Sequence, residues 1–227
     1  MEIVLNTFEK KIVKQSVEFL VPLRLTKTLK KESIDTFTKL LDEYAELGSS
    51  NKMINREFLF SIYYACFNPI VQSNFTKTKN EILDIIDEFW KIKNKVENVL
   101  GFQENDFNKE DKLELYGNYD LKLLEIGRVI LNDLIQMKDV NQELFAQLSI
   151  LLASLHQSLK DKEYISKITA GILFTLCTGV LIRSEYITEP EPLMFIRDNK
   201  DTSYPPILTE FWKLEPMVSK ILGSEIS

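Results

Sequence analysis

The residues of this chain whose types and spacing bear on chemistry are few, and each has a plain packing reading beside its functional one. Lys93 is the sharpest case. Counted at 100° per residue, it falls on the apolar stripe of a helix spanning about 79–100, next to Ile86, Phe89 and Val96. A lysine there either snorkels to the surface along its stem or anchors an anionic ligand in a pocket. Gly171, Thr175 and Thr178, with Gly179 beside them, form a small-residue face in the apolar run 168–182. Such a face admits a neighbouring helix at close range, or else walls a ligand pocket. Lys93, Gly171 and Thr175 are therefore the pocket candidates.

The other chemistry-bearing residues point to absences. His156 is the only histidine, which excludes a histidine-ligated metal cluster and a di-iron carboxylate bundle within one chain. It lies near the end of a leucine-rich helix, where packing is the commoner role. Cys66 and Cys177 each sit inside an apolar run and have no C-x-x-C partner, so they read as core hydrophobes of a reduced, cytoplasmic protein. Asp106, Asn108 and Glu110 imitate the start of a calcium loop. Asp111 then stands where glycine is required and Gly117 where the bidentate glutamate belongs, so the segment reads as solvated linker. Asp84, Asp87 and Glu88 lie off the apolar stripe and face water, with Asp87 in i,i+4 reach of Lys91. No G-x-S-x-G elbow, Walker loop or G-x-G-x-x-G loop occurs. The expectation is no catalytic residue, no metal and no cofactor.

Charge sets the class of partner. The 34 acidic and 28 basic residues give a net charge of −6, which suits a basic protein partner. Residues 1–31 run the other way, with seven basic against three acidic residues. No nucleic-acid-reading motif accompanies them, so a solvated helix face is the expected cause.

The elements that must position these residues are helical. With 227 residues, 44% of them hydrophobic and only seven glycines, the chain is long enough for a large helical core. Ile34, Phe37, Leu40, Leu41, Tyr44 and Leu47 recur at helical steps behind Ser33, an expected N-cap, and Gly48 ends them. Before them, a helix over about 2–20 is expected to end at Pro22. Residues 53–67 read as a buried helix stopped by Asn68 and Pro69. The helix at about 79–100 closes at Gly101. The stretches 121–137 and 143–159, the second carrying Leu144, Leu148, Leu151, Leu155 and Leu159, read as central helices together with the run 168–182.

That run is free of charge between Lys167 and Arg183 but only 15 residues long. As a helix it would reach roughly 22 Å, short of the ~30 Å hydrocarbon core of a bilayer. A buried central helix near 164–187 is expected instead, and a membrane span is not. The predicted fold is all-α, a compact bundle of about seven or eight helices. It forms a single domain over 1–227, with the acidic connection 101–118 as the place for any subdivision.

One segment departs from this pattern. Residues 188–206 hold four of the seven prolines around the apolar knot Leu193–Ile196, and "PLMFI" could form a short extended piece. Phe195, Arg197 and Tyr204 are the aromatic and arginine residues that most often anchor an interface. Two function classes follow. The first, favoured here, is a cytoplasmic helical binding protein acting through protein–protein contact, as a regulator, adaptor or toxin-neutralising (immunity-type) protein. The second is a small-molecule binder or enzyme with a pocket inside the bundle.

Overall fold

The computed structural model describes residues 2–26, 30–73, 79–108, 117–136, 141–181 and 206–223. Eight α-helices lie among them: α1 (Glu2–Thr26), α2 (Lys31–Leu47), α3 (Arg56–Ser73), α4 (Lys79–Leu100), α5 (Asn118–Ile135), α6 (Gln142–Leu159), α7 (Lys167–Leu181) and α8 (Pro206–Leu222). A 3-10 helix covers Glu104–Asn108, and two short strands, β1 (Met53–Asn55) and β2 (Tyr164–Ser166), complete the set. The fold is all-α, a multi-helix bundle. No described helix is long and apolar enough to cross a membrane.

The helices pack as two four-membered rings. In one, α1 touches α2 and α3, and α4 touches α2 and α3; in the other, α5 touches α6 and α7, and α8 touches α6 and α7. Contacts of α4 with α7 and of α3 with α8 join the rings. The strands tie them a second time. β1 precedes α3 and β2 precedes α7, and the two pair antiparallel with Ile54 opposite Ile165. Both isoleucines are buried, and each strand ends in a helix cap: Asn55 Oδ1 accepts from Phe58 N at 3.0 Å, and Ser166 Oγ accepts from Ile168 N at 3.2 Å. This pairing corrects the expected helix over 53–67 and the absence of a sheet, because a three-residue strand is decided by its partner and carries no alternation long enough to read.

Two other boundaries differ because packing outweighs a local breaker. Pro22 lies inside α1, where the buried Phe19, Leu20 and Leu23 hold the helix on course and Thr26 Oγ1 donates to Pro22 O at 2.9 Å. Pro69 lies inside α3 between the buried Asn68 and Ile70. Helix α2 starts two residues before Ser33: the amides of Ser33 and Ile34 both donate to Lys30 O, and no side chain caps the end. Its buried face is Ile34, Phe37, Thr38, Leu41 and Tyr44, with Leu47 turned outward, and Gly48 closes it as expected.

Helix α7 is the centre of its ring. Every residue from Lys167 to Leu181 except Ile168 is buried. Helix α6, expected to be central, buries only Phe145, Leu148, Leu152, Leu155 and Leu159. Its leucine stripe holds at Leu148, Leu155 and Leu159 but runs through Phe145 and Leu152 in place of Leu144 and Leu151, which are half-exposed, and Ile150 is 71% exposed.

Residues 102–108 are not solvated linker. Phe102 and Phe107 are buried edge to face, with centroids 5.4 Å apart. Each sits over a glycine: a Cβ on Gly171 would come within 2.4 Å of Phe102 Cβ, and one on Gly127 within 2.8 Å of Phe107 Cε1. The small-residue face of α7 is thus explained at Gly171 by a phenylalanine from the connection after α4.

Candidate functional site

Two of the concavities lined by described residues differ in chemistry. A polar cleft of about 970 Å³ is formed by one side of α1, the turn after α2, the paired strands β1 and β2 and the start of α3. Glu9 of α1 forms part of its wall, and Tyr44 Oη donates to Glu9 Oε1 at 2.8 Å. Burial raises the Glu9 carboxyl above the usual carboxylate range; the tyrosine bond opposes this, and the charge of nearby Glu163 adds to it. Burial and Glu9 together push the Tyr44 phenol well above its ordinary value.

Glu163, just before β2, faces the same cleft and is oriented by Asn55, whose Nδ2 donates to Glu163 Oε1 at 3.2 Å. Behind Tyr44 lies Lys167, the first residue of α7. Its Nζ is 5.9 Å from the Tyr44 ring centroid and donates to Gly48 O at 2.9 Å, and burial lowers its pKa. The β1–β2 pairing thus brings Glu163, which precedes α7, into the same cleft as Glu9 of α1.

The second concavity is an apolar groove of about 710 Å³ between α5 and α6. Ile126 and Val129 from α5 and Leu144, Ile150 and Leu151 from α6 supply its floor and sides. Tyr119 Oη and Ser154 Oγ, 3.0 Å apart, bridge the two helices within it. The groove exists because α6 turns the leucines at 148, 152 and 155 inward and so leaves 144, 150 and 151 at its edge.

The pocket candidates read from the sequence line neither concavity. Lys93 does not snorkel. It is buried, its Nζ donates to the equally buried Glu97 Oε1 at 2.6 Å, and it lies 5.6 Å from the Trp90 ring centroid. Burial raises the Glu97 carboxyl, against the pull of Lys93 and with the charges of Glu104 and Asp106. Gly171 is covered by Phe102, and Thr175 is buried with no hydrogen bond from its hydroxyl. Phe195, Arg197 and Tyr204, and the "PLMFI" piece, lie outside the described residues.

The remaining chemistry-bearing residues line neither concavity. Cys66 and Cys177 are free and buried, and burial pushes both thiols up. His156 is half-buried on α6. Lys91 pairs with Asp35 and, at 3.7 Å, with Glu88, not with Asp87 as its spacing suggested. With Lys31–Asp84 and Lys95–Asp42 it stitches the outer faces of α2 and α4. Asp106 Oδ2 accepts from Gln103 N at 2.7 Å, a local cap of the 3-10 turn. Among the described residues no three His, Cys, Asp or Glu side chains converge as metal ligands.

Sequence reasoning missed the cleft. In the sequence, Glu9 is one of the three acidic residues of the basic end 1–31, and Lys167 is the charge that precedes the apolar run. No family model matches the chain, and no curated protein or solved structure matches it.

Proposed function

We propose that this chain is a helical binding protein of the regulator, adaptor or toxin-neutralising kind, working in the cytoplasm, and that the α5–α6 groove receives an amphipathic helix of a protein partner. The groove carries the reading. Two helices flank a groove lined by five aliphatic side chains together with polar ones such as Lys122, Glu125 and Gln147, a surface that matches the amphipathic face of a third helix with anchors at i, i+3, i+4 and i+7. Ile150 is 71% exposed at its edge, a large aliphatic side chain for which the described structure provides no cover. The net charge of −6 favours a helix whose polar face is basic. Buried free thiols are in keeping with a reducing compartment.

The competing reading, a pocket inside the bundle, loses its sequence basis where Phe102 covers Gly171 and Glu97 engages Lys93. The test is a cross-linking capture in the cell of origin with the parent chain and an Ile150→Asp variant. A partner recovered with the parent and reduced by about tenfold or more with the variant, at unchanged melting temperature, supports the reading. Equal recovery with both chains overturns it.

A further inference from the structure

The polar cleft is separate from the groove, and its lining poses a question of its own. Three glutamates, Glu9, Glu57 and Glu163, and three lysines, Lys10, Lys14 and Lys52, share its walls. Elsewhere on this surface such residues find each other, as Lys31–Asp84 and Lys95–Asp42 do. Here, among the described residues, none of the six makes an ion pair. The cleft holds both signs of charge apart.

We propose that the cleft binds a dipolar ligand, placing a primary ammonium between Glu9 and Glu163 and an anionic group toward Lys10 and Lys14. One part of the lining suits a cation. The charge of Glu163 is felt at the Glu9 carboxyl, and the aromatic side chains of Tyr44, Phe58 and Tyr164 line the same cleft. A cation seated there relieves the repulsion between the carboxylates.

The hydrogen bonding selects an ammonium over a guanidinium. Glu9 already uses Oε1 to accept from Tyr44, and Glu163 uses Oε1 to accept from Asn55. Each carboxylate therefore presents one unengaged oxygen and not the two-oxygen edge that a guanidinium fork matches. An ammonium, with three donors that reach separate acceptors, fits single oxygens offered by two different elements, α1 and the segment before β2. A hard metal ion wants six or more oxygens, and no set of three converging ligands is present among the described residues.

Another part of the lining suits an anion. Lys10 and Lys14 are one helical turn apart on α1 and both are exposed, so their ammonium groups share one face. With three charges of each sign in the lining, a simple amine gains little from the cleft as a whole. A ligand carrying both charges gains from both parts. The volume, about 970 Å³, lies at the upper end of ordinary small-ligand sites, so a free amino acid-like molecule and the lysine and acidic side chains of a peptide both fit.

The test is calorimetric titration of the full chain with 6-aminohexanoate, beside hexylamine and hexanoate, which carry one charge each. Saturable binding of 6-aminohexanoate, about tenfold tighter than either control, is expected. Glu9→Gln keeps the acceptor for Tyr44 but removes the charge, and should weaken 6-aminohexanoate by about tenfold with little effect on hexanoate. Glu163→Gln, at an exposed position, should do the same and stands in should Glu9→Gln fail to fold. Ile150→Asp should leave the titration unchanged, so that failure of the groove and failure of the cleft are read separately. A blocked Lys-Asp dipeptide run in parallel identifies the source: tighter binding than 6-aminohexanoate assigns a peptide, weaker binding a free molecule. Absence of saturable binding, hexylamine binding as tightly as 6-aminohexanoate, or folded Glu9→Gln and Glu163→Gln variants that bind like the parent would each overturn the proposal.

Discussion

Lys93 in the α1–α4 ring and Lys167 at the start of α7 are buried to nearly the same depth, 6% and 7% exposed, yet they are accommodated in different ways. Lys93 has a carboxylate, Glu97, four residues on in the same helix. Lys167 has a backbone carbonyl, Gly48 O, and the face of Tyr44, and burial lowers its pKa with no anion to oppose the shift. Lysine N-terminal to glutamate at i,i+4 is the less favourable order on a helix surface. The Lys93–Glu97 pair therefore owes its existence to shared burial: each charge needs the other once both are away from water. Lys167 shows the alternative, an ammonium held by a neutral acceptor at the end of a helix, close to the cleft.

The largest effect that would sharpen this contrast is removal of the anion beside Lys93. Glu97→Leu leaves a buried ammonium without a counter-charge and should cost about 3–5 kcal/mol. In a thermal melt that is a fall on the order of 10 °C. A loss under about 1 kcal/mol would show that the two charges are independent.

Removing the other partner should do less. Lys93→Met should cost about 1–3 kcal/mol, because the Glu97 carboxyl, already raised by burial, can take up a proton and become neutral. A stabilised variant would mean that the lysine reaches solvent after all. The double variant Lys93→Met/Glu97→Leu should return to within about 1 kcal/mol of the parent, since an apolar pair of similar volume replaces a desolvated ionic one. Chemical denaturation of all four proteins in the cycle measures the coupling directly.

Lys167→Met should cost about 1 kcal/mol or less. Gly48 O keeps a second donor, the amide of Asn51 at 3.0 Å, so no buried carbonyl is orphaned.

The smallest effect is a pH dependence specific to Lys167. Its folded-state pKa lies below the ordinary 10.5, so approaching that value from below the unfolded chain holds more protons than the folded one. Stability contributed by this group therefore rises with pH in that window. The parent should gain on Lys167→Met when both are melted at pH 7 and again near pH 10, with shared surface titrations cancelling in the difference. A difference that shrinks at the higher pH would reverse the assignment.

The contrast between the lysines also measures how far the sequence can be read. Lys93 was visible as an anomaly, because a charged residue on the stripe of Ile85, Ile86, Phe89 and Val96 breaks a 3.6-residue period that is otherwise clean. Its solution was four residues away and went unread, since Glu97 also reads as an ordinary surface charge. Lys167 gave no such signal. Both of its contacts come from the α2 end, 119 residues away for Gly48, and no local pattern reports a partner at that distance. Phe195, Arg197 and Tyr204 remain sequence expectations.

The all-α class, the closure of α2 at Gly48 and of α4 at Gly101, and the burial of α7 were determined by the sequence alone. They rest on hydrophobic periodicity and on residues whose backbone preferences act within one or two turns. Only the tertiary structure decided that Pro22 and Pro69 would lie inside helices, that Ile54 would pair with Ile165, and that Phe102 would fill the space over Gly171. In each case a contact between distant segments outweighs a local preference of a few kcal/mol or less. The cleft belongs to the same class: Glu9, Tyr44 and Glu163 are ordinary polar residues until the β1–β2 pairing and α1 bring them into one cleft.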